Sequence, residues 1–198
     1  MVLLFNHPQT MYNTPMKNDT KFIWIDLEMT GLEATKDKIL EIALVITDSK
    51  MNVVEKFDPI TIHHDLNKTK FNFEPGTHKI MMTAFKNSGL LDRIKNSKTT
   101  HKQAEKLLYK RIAKHCEKRN CYLAGNSVWR DGIFLEVQMP KVSKYLHYRN
   151  LDVTTLRLLR EIWYPKLSKY KKADTHDAAT DILESINQLK YLKKHLLK

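Results

Sequence analysis

The chain has 198 residues, 42 % of them apolar, and carries 34 Lys plus Arg against 22 Asp plus Glu, a formal net charge of +12. That length builds one sizeable α/β domain and excludes two comfortable ones. The basic excess suits an anionic partner, nucleic acid before membrane surface, or simply a solvated surface, and no long polybasic block decides between them.

Residues 1–20 read as a flexible N-terminal extension. Its opening MVLLF is too short for a signal-peptide core, and the segment has none of the arginines of a mitochondrial transit peptide. No apolar run has the length of a membrane span. Cys116 and Cys121 form no CxxC pair and no disulfide framework, so free thiols in a reducing, cytoplasmic compartment are expected, with mitochondria as the second choice.

From residue 21 the pattern is that of a single domain over 21–198. A first strand is expected over 21–27 and ends in the Met29-Thr30-Gly31 turn. A second covers 38–48, rich in Val and Ile, and a third covers 52–64 with a break at Pro59. The polar stretch 65–78, with Pro75 and Gly76, reads as a loop before a short helix near 79–87. A strong helix follows, capped by Thr99 or Thr100, with Ala104, Leu107, Leu108, Ile112 and Ala113 at helical spacing. CYLAGNSV (121–128) is a fourth strand, DGIFLEVQM a helix stopped by Pro140, and 149–152 a short fifth strand leading into a helix with Leu156, Leu158 and Leu159. The final segment is one long amphipathic helix. Strands first, then helices alternating with two more strands, indicate one mixed-sheet α/β domain.

One stretch resists a purely structural reading. FIWIDLEMTGL (22–32) is apolar enough for a core strand, yet it carries Asp26 and Glu28. Residues two apart in a strand share a face, so these carboxylates lie side by side and need a shared proton or a bound cation. A divalent cation wants several hard oxygens. Asp131 follows the fourth strand, where a strand end meets a helix start, and Asp181 sits in the last helix, five residues after His176. Five helical residues turn through about 500°, so His176 is expected at the cap or in the loop before the helix, folded back over Asp181.

D-x-E on the first strand, an Asp after the fourth and H-x-x-x-x-D at the last helix resemble the DEDDh exonuclease superfamily, which has an RNase H-like fold. WIDLEMTGL, SGL (88–90), LAGNSV, HYRNLDVTTL and TH…A…DI..SI..L resemble the oligoribonuclease family within it, over residues 21–198. The resemblance implies an α/β RNase H-like exonuclease fold with a five-stranded mixed sheet flanked by helices. It implies two divalent ions, Mg²⁺ or Mn²⁺, on Asp26, Glu28, Asp131 and Asp181, with His176 as general base. It implies short RNA, down to dinucleotides, as the substrate, and a homodimer. It also maps a wedge between the two bases onto Leu32, substrate contacts onto Met29, Thr30 and Ser127, and a 5′-phosphate cap onto Thr154, with Tyr148 and Arg149 from the other subunit.

The segment before SGL departs from the family, which usually has a Trp and, five residues later, a His there. Ungapped counting puts Ile80 and Phe85 at those places, with Phe85 able to stack on a base, whereas a register through Thr77-His78-Lys79 brings His78 into play. Two rival readings are an exonuclease for longer substrates, such as a proofreading subunit, and an RNA-binding protein with a vestigial site. The HYR cap argues against the first and the five retained catalytic positions against the second.

Overall fold

The computed structural model describes residues 20–171 and 178–197. Five strands form one sheet in the order β3-β2-β1-β4-β5. They are β1 Lys21–Met29, β2 Ile39–Asp48, β3 Val53–Thr61, β4 Cys121–Gly125 and β5 Asn150–Asp152. β2 runs antiparallel to β1 and to β3, and β4 is parallel to both β1 and β5. The sheet is therefore mixed, as the strand pattern predicts.

Both faces of the sheet are covered, which explains why β1 and β2 read as nearly continuous apolar runs rather than alternating ones. Ile23, Ile25 and Leu27 of β1 pack with Leu108 and Ile112 of α3 (His101–Ala113) and Phe134 of α4 (Trp129–Gln138). Trp24 on the other face packs with Ile182, Ile186 and Leu189 of α7 (Ala178–Leu196). Asp26 and Glu28 continue Trp24's face, so the acids emerge where the α7 side of the core ends.

Several boundaries differ from expectation, each for a physical reason. β3 runs through Pro59, because β3 is an edge strand and the residue sits where the β2–β3 register slips between Ile42 and Leu44. The helix expected near 79–87 is α1, Pro75–Asn87, with Pro75 as an N-terminal starter rather than a loop marker. A seven-residue helix, α2 Leu90–Asn96, follows a left-handed Gly89 at φ 70°, too short to leave a periodicity. Pro140 ends α4 and also opens a second short helix, α5 Pro140–Tyr145. α3 is capped by Thr100, in a reciprocal capping box with Gln103. The remaining helix, α6, spans Val153–Trp163, with Asp152 as its N-cap.

Of the expected N-terminal extension, residues 1–19 lie outside the described residues, and Thr20 is buried at the start of β1. Among the described residues no helix is long and apolar enough to cross a membrane, and both cysteines are free thiols.

Candidate active site

β1 outruns its parallel neighbour. Pairing with β4 stops at Trp24–Ala124, and Gly125 turns away so closely that a Cβ there would meet the Ile25 carbonyl at 3.2 Å. The unpaired edge of β1 is taken over by α4, whose first-turn Asp131 accepts a hydrogen bond from Leu27 N at 3.1 Å. A carboxylate at a helix N-terminus is favoured by the exposed N–H groups. The strand end thus aims Asp131 at the same place as Asp26 and Glu28.

Asp26 and Asp181 line one cavity of about 240 Å³ with Asn126 and Ser185. Asn126 Nδ2 donates to Ser185 Oγ at 2.6 Å, and Ser185 donates to the Asp181 carbonyl at 2.9 Å, tying the β4 turn to α7. Burial, reinforced by Asp26, Glu41 and Asp181, pushes the Glu28 carboxyl up to about 7, with Arg93 opposing. Burial and then Asp26 push Asp131 up to about 7, against the pull of the Leu27 N–H. Two carboxyls with affinities this high are starved of positive charge. Among the described residues no three His, Cys, Asp or Glu side chains form a ready-made metal cage. The four acids are electrostatic neighbours, and their all-oxygen, charge-deficient set fits hard divalent cations.

The Asn126-Ser127 turn carries a second part of the site. Ser127 is left-handed at φ 51°, which turns its N–H onto Asp152 Oδ1 at 3.0 Å and Thr154 Oγ1 at 2.9 Å. The Ser127 and Thr154 hydroxyls stand 3.2 Å apart. Leu32 is 54 % exposed beyond the end of β1. Its loop is held by Asp37, which is buried and accepts from Thr30 Oγ1, Glu33 N and Asn72 Nδ2. Gly31 is required there, since a Cβ would lie 2.5 Å from the Asp37 carboxylate. Gln138 closes the loop from α4 by donating to the Ala34 and Asp37 carbonyls, each at 2.8 Å.

Two of the expected substrate contacts are buried. Phe85 is 3 % exposed and packs with Leu40, Leu90 and Ile94, its ring against Phe71 and Phe73, so no face is open to a base. Thr30 is buried, its hydroxyl engaged by Asp37 and by Lys38 N. Met29 is partly buried against the α3–α4 side of the core. Tyr148 and Arg149 lie at the opposite end of β5 from Thr154 and are exposed. The expected base His176 lies outside the described residues.

Sequence reasoning missed the supports: Asp37, Gln138, Asn126 and Asp152. It also missed the pair Glu41–Arg93. Glu41 faces Glu28 across β1–β2, is buried, and is gripped by Arg93 Nε at 2.8 Å and Nη2 at 2.7 Å. Thr61 Oγ1 donates to the same carboxylate. Glu41, set among the apolar residues of ILEIALVITD, was the available signal for a buried pair.

An exonuclease family model of the RNase_T type matches residues 23–189. The probable oligoribonuclease of Dictyostelium discoideum is 41 % identical over 90 % of this chain and 93 % of its own length. That of Drosophila melanogaster is 41 % identical over 91 % and 84 %, and the oligoribonuclease of Ralstonia nicotianae 38 % over 92 % and 81 %. Among solved structures, E. coli exonuclease I in complex with a dA16 oligonucleotide has a TM-score of 0.60 at 16 % identity, covering 90 % of this chain and 42 % of that one. At that identity the likeness establishes the RNase H-like exonuclease fold. Full-length likeness to curated relatives and the family match together place this chain in the oligoribonuclease family of exonucleases, hydrolases that act on RNA in the 3′→5′ direction.

Proposed function

We propose that this protein hydrolyses very short RNA, down to dinucleotides, to 5′-mononucleotides, and that residues 21–198 do so as one domain. The observation that carries this reading is the meeting of Asp26 and Asp181 in one cavity, beside Glu28 and Asp131 carboxyls both pushed up to about 7. Such a set is stabilised by cations, and Asp26, Glu28, Asp131 and Asp181 would hold two, Mg²⁺ or Mn²⁺. When bound, the pair supplies a lowered water pKa and charge neutralisation at the scissile phosphate. Support for divalent metal dependence also comes from the fold neighbours, one of which is a zinc-bound exonuclease I–ssDNA complex.

The remaining chemistry falls to the protein's own side chains. His176, as a neutral imidazole, takes the proton of the attacking water. Leu32, on its braced loop, separates the two bases. The Ser127–Thr154 pair offers hydroxyls to the terminal phosphate at the end of β5. Tyr148 and Arg149 complete that cap from a second copy. In support, the three residues of β5 separate Arg149 from Thr154 by roughly 10 Å along the strand, which favours their meeting one phosphate from two chains. HYR is also preassembled for contact: His147 stacks on Tyr148 at 4.5 Å and the Arg149 guanidinium lies 5.3 Å over the Tyr148 ring. Beside it, Trp129 and Ile133 of α4 are exposed and line a groove with Tyr148, an apolar surface that a second copy would cover. A cytoplasmic setting accords with the two free thiols.

Turnover of two-, three-, five- and ten-nucleotide RNAs tests the reading. Dinucleotides are expected to be cleaved fastest, with no activity in chelator and recovery on adding Mg²⁺ or Mn²⁺. Undiminished turnover after thorough chelation, or a preference for ten nucleotides, overturns it. His176→Ala is expected to lower kcat by at least ~10²-fold with substrate binding largely kept.

A further inference from the structure

The lysines of α3 look scattered in the sequence, but the helix gathers them. Lys102, Lys106 and Lys110 recur at every fourth residue, and all three are exposed. Four helical residues turn through about 400° and rise about 6 Å, so the three ammonium groups form one row along the helix. The row stands two residues out of step with the buried series Ala104, Leu108 and Ile112, about 200° round the helix, and so faces away from the core. α5 packs against α3 through the Tyr109–Tyr145 ring contact and through Lys141 N, which donates to Glu105 Oε1 at 2.8 Å. Its Lys141 and Lys144 are exposed and widen the basic surface.

This arrangement works against the stability of α3. Like charges four residues apart repel on a helix surface. The first turn has no acidic residue, so Lys102 meets the positive end of the helix dipole uncompensated. Glu105 is the single acid of α3, and Lys102, Lys106 and Lys110 take part in none of the ion pairs among the described residues. Lys114, next in the series, is paired with Glu55 at 3.1 Å, which ends the row. A helix that breaks local electrostatic rules without an internal partner points to an external one.

We propose that the α3–α5 surface binds the sugar–phosphate backbone of single-stranded RNA too long for the catalytic site, without regard to sequence. A backbone needs only a track of cations, whereas a membrane surface also takes apolar side chains and a protein partner an apolar or aromatic centre. Leu107, 39 % exposed, is the only exposed apolar residue of α3, and Tyr109 is turned into its contact with Tyr145. The row is separate from the catalytic site: α3 packs on the sheet face of Ile23, Ile25 and Leu27, and the acids continue the opposite face, that of Trp24. A strand lying on it holds the protein on RNA while leaving the acids open to short substrates. Binding there requires no turnover, so it does not depend on the substrate length proposed above.

The test titrates the full chain, in chelator, into a labelled 20-nucleotide oligouridylate and follows anisotropy at several salt concentrations. Chelator removes metal-dependent phosphate binding at the four acids. The triple variant Lys102→Gln, Lys106→Gln, Lys110→Gln is expected to bind about tenfold more weakly or worse. Its slope of log affinity against log salt is expected to be shallower by about 2, from roughly 0.7 per lost phosphate contact. Its thermal midpoint is expected to be unchanged or higher, because repulsion along α3 is relieved. Replacing the three lysines by Arg is expected to restore binding. The control Lys190→Gln, Lys193→Gln, Lys194→Gln removes the same charge from exposed positions of α7 and is expected to keep most of the affinity. Undiminished binding in the α3 variant, or an equal loss in the α7 control, overturns the proposal. So does a loss confined to binding of phosphatidylserine vesicles, which would assign the surface to a membrane.

Discussion

Glu28 and Asp131 hold carboxyls near 7, up from ordinary values of 4.5 and 3.8, first because they are buried and then because Asp26 is close. An acid that keeps its proton more tightly in the fold than in the unfolded chain favours the fold at low pH, and that contribution is lost as pH rises through the folded value. Between about pH 4 and 7 the folded chain binds more protons than the unfolded one, so unfolding free energy falls with rising pH. In chelator, the thermal midpoint is therefore expected to drop from pH 5 to pH 8. Mg²⁺ or Mn²⁺ is expected to restore it, with a larger gain at pH 8 than at pH 5, because ligands must be deprotonated to bind. Asp131→Asn removes one of these charges and is expected to flatten the pH dependence in chelator and to cut dinucleotide turnover by roughly 10²-fold or more, as expected of a lost metal ligand. A midpoint independent of pH in the wild-type chain would contradict the crowding of these acids. The acids were legible in sequence because two carboxylates in an apolar strand have no cheap structural explanation. The burial of Phe85 and Thr30 was not, because sequence spacing does not say whether a side chain faces solvent or a neighbouring element.

At the scale of elements, the sheet was legible and the braces around it were not. The positions of the strands follow from their apolar, β-branched runs, whereas α1 began four residues earlier than expected and α2 went unseen because seven residues hold barely two turns. Yet α2 contributes Arg93, which neutralises Glu41 next to Glu28. Breaking a buried ion pair costs roughly 3–5 kcal/mol, and partial exposure of Arg93 reduces this to about 2–3 kcal/mol for Arg93→Met. Arg93→Met with Glu41→Gln is expected to recover most of that loss, since the pair is then neutral. Chemical denaturation of the two variants checks both figures. The loop after β1 makes the matching case for binding. Asp37 accepts three hydrogen bonds under Leu32, and Asp37→Ala leaves buried donors unpaired at about 1–3 kcal/mol. Its kinetic signature is expected to be a raised KM for dinucleotides with kcat changed less, because Asp37 holds Thr30 and Glu33 of the loop that carries the proposed wedge and ties them to Asn72.

At the scale of the whole molecule, the two halves of the proposed phosphate cap sit at opposite ends of β5. Ser127 and Thr154 close the C-terminal end, where the acids are, and Tyr148 and Arg149 precede the N-terminal end. In the proposed reading, the cap is completed by a partner. A two-fold dimer over the exposed face of α4 would carry each HYR stack to the other protomer's site. Arg149→Ala is then expected to leave the dimer intact and to slow cleavage of 5′-phosphorylated dinucleotides by ~30-fold or more, the cost of about 2–4 kcal/mol for a lost charge partner of a buried phosphate. Asp26→Ala is expected to be inactive outright. Co-refolded at equal amounts, these two defective chains give heterodimers in which one site has its own acids and its partner's arginine. Random pairing makes half of the dimers mixed, each with one working site in two, so activity is expected to recover to about a quarter of wild type. Sedimentation confirms the dimer and turnover reports the rescue. Verified heterodimers without rescue, or a fully active monomer, would place the whole cap within a single chain, against the separation imposed by β5.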